Sequence, residues 1–75
     1  MIGTVKVNVS EGNIVIETYS ITVTHQRAFD TLGIAINDLL TTTYKNQVTH
    51  TNRNSGNRSA NLYLDDGRIA FIKVL

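Results

Sequence analysis

The chain has 75 residues, which is enough for one small domain spanning 1–75 and no more. Hydrophobic residues make up 41% of it and charged residues 17%, with a formal net charge of +1, a composition typical of a folding chain. The absence of cysteine excludes disulfides, thiol catalysis and thiolate metal centres. No apolar run approaches the ~20 residues of a membrane helix, and no signal segment is evident, so we expect no membrane partner and a cytoplasmic location.

The first predicted unit is a β-hairpin over residues 3–24. Valines alternate with polar residues from Val5 to Val9, which predicts a half-buried strand. With Glu11 and Gly12 as the central turn residues, Val9 would lie opposite Ile14, and apolar residues would face each other along the hairpin.

The second strand changes phase along its length. Ile14 is even-numbered, whereas the later apolar residues Tyr19, Ile21 and Val23 are odd-numbered. A bulge or bend between residues 17 and 20 would bring all of them to one face, and the alternative is a long strand with both faces partly covered.

One helix is predicted over residues 25–45, with Thr24 able to cap its start. Apolar residues recur there at steps of three and four and form one stripe. The stripe consists of Phe29, Leu32, Ile36, Leu39 or Leu40, and Thr43 or Tyr44. Gly33 within it indicates either a close approach between helix and sheet or simple tolerance.

Residues 46–59 are polar and are predicted to form a long basic loop, with an extended β-ribbon as an alternative. Residues 40–63 contain no Asp or Glu, so positive charge is concentrated there. The cations and amides of this segment suit contacts with the phosphates and base edges of a nucleic acid. The alternatives are a solvated loop and a site for another ligand. The candidate contacts are Lys45, His50, Asn52, Arg53, Asn54, Asn57 and Arg58.

A second hairpin is predicted over residues 60–75. Asp66 and Gly67 as a two-residue turn would place Leu62 opposite Phe71 on one face. The other face would then carry apolar side chains for a partner, or merely scattered surface apolar residues. The candidate oligomer-interface residues are Val15, Tyr63, Ile72 and Val74.

The predicted fold class is therefore α+β, in the order ββαββ. A four-stranded antiparallel sheet of two hairpins carries the helix on one face, and the other face is left for a partner, most simply a second copy of the chain.

We find no motif for catalysis, a cofactor or a metal, and expect a protein that is not an enzyme. The two histidines, His25 and His50, are far apart and lack a neighbouring ligand at metal-site spacing. Adjacent Asp65 and Asp66 are explained by turn chemistry.

These absences favour surface recognition as the function. The first hypothesis is a homo-oligomeric binding protein, joined through its uncovered sheet face or edge strands, that inhibits or adapts a protein partner. In length and composition the chain is similar to small accessory proteins of viruses and plasmids, which would place it in a host cytoplasm. The alternative is a small nucleic-acid-binding regulator using residues 45–58, with its cations doubled by dimerisation.

Overall fold

The computed structural model describes residues 2–24, 31–54 and 58–75. Within these residues the chain forms one helix and five strands. In chain order the elements are β1 (Ile2–Glu11), β2 (Ile14–Thr24), α1 (Thr31–Thr41), β3 (Val48–Arg53), β4 (Ser59–Leu64) and β5 (Arg68–Val74). The predicted helix start near residue 25 and the candidate contact Asn57 lie outside the described residues.

The strands form one antiparallel sheet in the order β2-β1-β5-β4-β3. The fold is α+β as expected, but the prediction of a four-stranded sheet is wrong, because the described part of the chain forms five strands. The additional strand, β3, lies within the segment predicted as a loop. It pairs with β4, placing Thr51 opposite Leu62 and Arg53 opposite Ala60. This pairing provides hydrogen-bond partners for backbone N–H and C=O groups of β3. A polar side-chain pattern does not reveal such pairing.

The two hairpins join through β1 and β5, which the sequence did not predict. Val7 lies opposite Ile72 and Val9 opposite Ala70 across this junction. Both central strands are thereby flanked on each side, and their apolar side chains can be fully buried.

The register of the first hairpin differs from the prediction. Glu11 lies opposite Ile14, so Gly12 and Asn13 are the central turn residues. Gly12 has a φ of 63°. A glycine with positive φ at the first central position is the arrangement of a type II′ turn, which matches the twist of the flanking strands.

A bulge corrects the phase change in β2. Ser10 lies opposite Val15 and Val9 opposite Glu17, which leaves Ile16 as the extra residue. The bulge is thus one residue earlier than the predicted stretch. It places the later apolar residues of β2 on the same face as the valines of β1, since Tyr19 then lies opposite Val7.

The second hairpin has a three-residue loop instead of the predicted two-residue turn. Tyr63 pairs with Ile69, and Gly67 has a φ of 91°. This combination is a turn followed by a left-handed glycine, the usual form of a three-residue hairpin loop. The Asp66 carboxylate accepts hydrogen bonds from the Arg68 backbone N–H at 3.1 Å and from its Nε at 2.6 Å, and the backbone bond is the main cause that lowers the pKa of Asp66.

The one-residue change in loop length reverses the faces of the hairpin. Leu62 lies opposite Ala70, not opposite Phe71. Because side chains alternate between faces, Ile72 points to the helix and Phe71 points away from it. The prediction that Ile72 and Val74 lie on the uncovered face is therefore wrong.

The core lies between α1 and one face of the sheet. The helix contributes Leu32, Ala35, Ile36 and Leu39, all buried. Tyr44, just after the helix, is also buried, and its hydroxyl is 2.6 Å from that of Tyr19 on β2.

The end of α1 is set by threonines. The hydroxyls of Thr41 and Thr42 donate to carbonyls of the last turn, at 2.9 Å to Asn37 and 2.6 Å to Asp38. Such side-chain bonds compete with continued helix, and Asn46 follows with a left-handed φ of 63°.

Candidate nucleic-acid interface

The sheet face opposite α1 is uncovered in the described chain, and we call it the open face. Its members follow from the strand registers, because residues directly opposite each other point to the same side. They are Ile2, Thr4, Lys6, Asn8 and Ser10; Val15, Thr18, Ser20, Thr22 and Thr24; His50 and Asn52; Ser59, Asn61 and Tyr63; and Ile69, Phe71 and Lys73.

Two lysines lie directly opposite each other at the centre of the open face. Lys6 on β1 pairs with Lys73 on β5, and both side chains are exposed. Their outer neighbours are Ser20 and Ser59, which carry no charge. Like charges directly opposite on neighbouring strands repel, so this pair is unfavourable in the free protein.

No Asp or Glu side chain on the open face offsets that repulsion, as far as the described residues extend. The strand registers place Glu11 and Glu17 on the opposite face of the sheet, and Asp38 lies on the helix. Asp66 is in the second hairpin loop, where it forms the salt bridge with Arg68. The open face is therefore positively charged although the whole chain is nearly neutral.

Half-buried aromatic side chains follow the lysine pair along the open face. Phe71 is two residues before Lys73 on β5, and Tyr63 on β4 lies opposite Ile69, two residues further along β5. The His50 and Tyr63 rings contact each other, with centroids 5.5 Å apart and planes tilted by 35°. Together they form an aromatic platform that leaves part of each ring surface in solvent.

Amide side chains complete the row through Phe71. Asn8 and Asn61 lie opposite Phe71 on its two sides, and Asn52 lies opposite Asn61. The Asn8 Oδ1 accepts a hydrogen bond from the Thr18 hydroxyl at 2.9 Å, which fixes the orientation of the amide. An asparagine can both donate to and accept from a base edge.

The structure separates the candidate contacts that the sequence groups in one loop. His50 and Asn52 lie on the open face, whereas Lys45 lies in the turn after α1. Asn54 donates from Nδ2 to Ser59 Oγ at 2.8 Å, and the carbonyl of Arg58 accepts from the Val74 N–H.

Arg53 lies on the helix side of the sheet. A Cβ built on Gly33 would be 3.3 Å from Arg53 Nη2, so the guanidinium group packs where the helix has no side chain. Because the neighbouring atom is the far end of a flexible side chain, a Cβ at this position would need it to shift by a few tenths of an ångström. The two residues flank a groove of about 300 Å³ between α1 and β3.

The predicted oligomer-interface residues are also divided. Val15 is exposed and Tyr63 is half-buried, both on the open face. Ile72 is fully buried in the core, and Val74 packs against that core. Ile72 is therefore not a surface residue.

Sequence reasoning missed Lys6, Phe71 and Lys73. For Lys6 the signal was present, because Lys6 alternates with the buried valines and so faces away from the core. The predicted two-residue turn placed Phe71 and Lys73 on the wrong face, since their orientation depends on the loop length of the second hairpin.

Groups of three or more His, Asp or Glu residues that could hold a metal ion are absent from the described ranges. None of the helical structure in residues 2–24, 31–54 and 58–75 is long and apolar enough to cross a membrane. Comparisons with family models, curated proteins and solved structures find no match to this chain. The open face is therefore the candidate functional site.

Proposed function

We propose that the protein binds single-stranded nucleic acid on its open face, without catalysis. The observation that carries the proposal is the Lys6–Lys73 pair, two exposed cations held opposite each other on a face without Asp or Glu side chains among the described residues. A phosphate group between the two ammonium groups would convert their repulsion into attraction.

The aromatic platform favours a single strand over a duplex. The exposed parts of Phe71 and Tyr63 can stack only on bases whose faces are free, and duplex bases are stacked on each other. Stacking on an aromatic side chain contributes about 1–3 kcal/mol per base and tolerates any sequence.

The polar residues of the open face suit the remaining contacts. Asn52 and Asn61 lie next to the platform and can bond base edges, while Ser20 and Ser59 flank the lysines and can donate to phosphate. The strand registers place the phosphate contacts in one row across the strands and the base contacts in the two rows that follow.

The same features disfavour a protein partner on this face. The cores of protein interfaces are depleted in lysine, and here two lysines occupy the centre. The hypothesis of an inhibitor or adaptor of another protein stays a prediction, as does the absence of enzymatic activity.

The test is the salt dependence of binding to a fluorescently labelled oligothymidine, followed by anisotropy. For single strands the slope of log affinity against log salt is about −0.7 per neutralised phosphate. Because the two lysines share one phosphate, Lys6→Ala/Lys73→Ala reduces the magnitude of the slope by about 0.7. Phe71→Ala weakens binding with an unchanged slope. Lys45→Ala is the matched control, because Lys45 is an exposed lysine off the open face.

A wild-type protein that does not bind the oligonucleotide at low salt would contradict the proposal. So would a slope that changes with Lys45→Ala and not with the double lysine variant, which would return the binding site to the segment around residue 45.

A further inference from the structure

Among the described strands, β2 is an edge of the sheet and pairs with β1 alone. In an antiparallel sheet, alternate residues of an edge strand direct their backbone N–H and C=O groups outward. Over Ile14–Thr24 this produces a row of unpaired backbone groups, whose natural partner is another strand.

This edge carries few of the features that usually prevent strand pairing. From Ile14 to Thr24 there is no Lys, Arg or Pro, and Glu17 is the one charged residue. The bulge at Ile16 interrupts the strand near one end and leaves residues 17–24 regular. The opposite edge, β3, carries Arg53 and His50. Sheet edges are commonly protected by charged residues and proline, so β2 is the less protected of the two edge strands.

Exposed apolar side chains lie at both ends of the β2 edge. At the hairpin end Ile14, Val15 and Ile16 are 69%, 57% and 50% exposed. At the other end Ile2, opposite Thr24, is 75% exposed. When two copies of β2 run antiparallel, the apolar hairpin end of each copy lies at the end of the other copy where Thr24 pairs with Ile2, and a parallel alignment does not achieve this.

We infer that β2 pairs with β2 of a second copy of this chain. Residues that lie opposite each other in the two copies must point to the same face of the joined sheet. An alignment with Ser20 on the two-fold axis meets this condition. Tyr19 then lies opposite Ile21 of the second copy and Glu17 opposite Val23, so no two like charges meet. The net charge of +1 adds little long-range repulsion between copies.

The resulting dimer has one continuous sheet of ten strands, because each copy contributes the described five. A two-fold axis perpendicular to the sheet keeps both helices on one side and joins the two open faces on the other. This last consequence rests on the proposed function: a single strand would cross two lysine pairs in place of one.

The test is the molar mass from light scattering over a protein concentration series, without nucleic acid and at high salt. The wild type is expected to form a dimer. Thr22→Lys places a charge on the regular part of the edge and Val15→Lys on the apolar tip, and each raises the dissociation constant at least about tenfold. Ile34→Lys is the matched control, since Ile34 is an exposed apolar residue on α1, and it leaves the dimer intact.

Amide hydrogen exchange identifies the paired edge independently of the variants. Protection of β2 amides is expected to rise with protein concentration, while that of β3 amides stays constant. A monomer at every concentration overturns the inference, as does a dimer that tolerates both lysine variants or one protected at β3. Because no oligonucleotide is present, such a failure leaves the salt-slope test of the proposed function untouched.

Discussion

Replacing Ile72 by alanine tests the register that separates the core from the open face. Ile72 has no exposed surface and lies between Val7 on β1 and Ala60 on β4. These small neighbours cannot fill the space left by the missing atoms. Removal of a buried isoleucine side chain costs about 2–5 kcal/mol, and we expect about 3 kcal/mol here.

This loss is large for so small a domain. At roughly 0.05–0.15 kcal/mol per residue, a chain of this length has a free energy of unfolding of about 4–11 kcal/mol. The adjacent variant Phe71→Ala is the matched comparison. Phe71 is half-buried on the open face between Asn8 and Asn61, so its truncation should cost about 1 kcal/mol.

Urea denaturation followed by far-UV circular dichroism measures both variants against the wild type. With the two-residue turn that the sequence favours, Phe71 would face the helix and Ile72 would face away. A larger loss of stability for Phe71→Ala than for Ile72→Ala would therefore refute the three-residue loop and the open face built on it.

Three further predictions concern stability. Tyr19→Phe removes the hydrogen-bond partner of the Tyr44 hydroxyl, and Tyr44 is only 5% exposed. We expect urea denaturation to show a loss of about 1–3 kcal/mol in the free energy of unfolding. The double variant with Tyr44→Phe should recover part of that loss, and two additive losses would contradict the bond. Burial raises the pKa of Tyr19 above its ordinary value of 10.0, so the folded state holds the hydroxyl proton more tightly. The Tyr19 hydroxyl then has no effect on the free energy of unfolding at lower pH, and the free energy of unfolding falls as the pH rises through about 10. The urea midpoint of Tyr19→Phe should fall less steeply over this range than that of the wild type. Gly67→Ala, at a φ of 91°, should lower the free energy of unfolding by about 1–3 kcal/mol, and an unchanged thermal midpoint would argue against the left-handed loop residue.

The sequence predicts those parts of the fold that have a clear hydrophobic period. The alternating valines of β1, the helical stripe through Leu32 and Leu39, and the Asp-Gly turn each indicate the correct kind of element. Strand β3 has no such period, because its side chains are mostly polar and its backbone is held by pairing with β4. Pairing of this kind depends on the rest of the fold.

Registers are less predictable than elements, for a physical reason that the second hairpin illustrates. Side chains alternate with a period of two, so one additional loop residue moves every following side chain to the other face. At the second hairpin the choice between a two-residue and a three-residue loop decided whether Phe71 or Ile72 is buried. The charge pattern of the sequence placed the candidate site in the basic segment instead. Of the candidate contacts there, the strand registers place His50 and Asn52 on the open face.

The central claim is that the open face binds single-stranded nucleic acid, and NMR chemical-shift mapping tests it most directly. Oligothymidine is titrated into ¹⁵N-labelled protein, and the shifts of each backbone amide are followed. We predict that perturbations concentrate on β1, β4 and β5, around Lys6, Tyr63, Phe71 and Lys73, while α1 stays unchanged. Perturbations confined to α1 and the groove beside Arg53, or none at low salt, would contradict it.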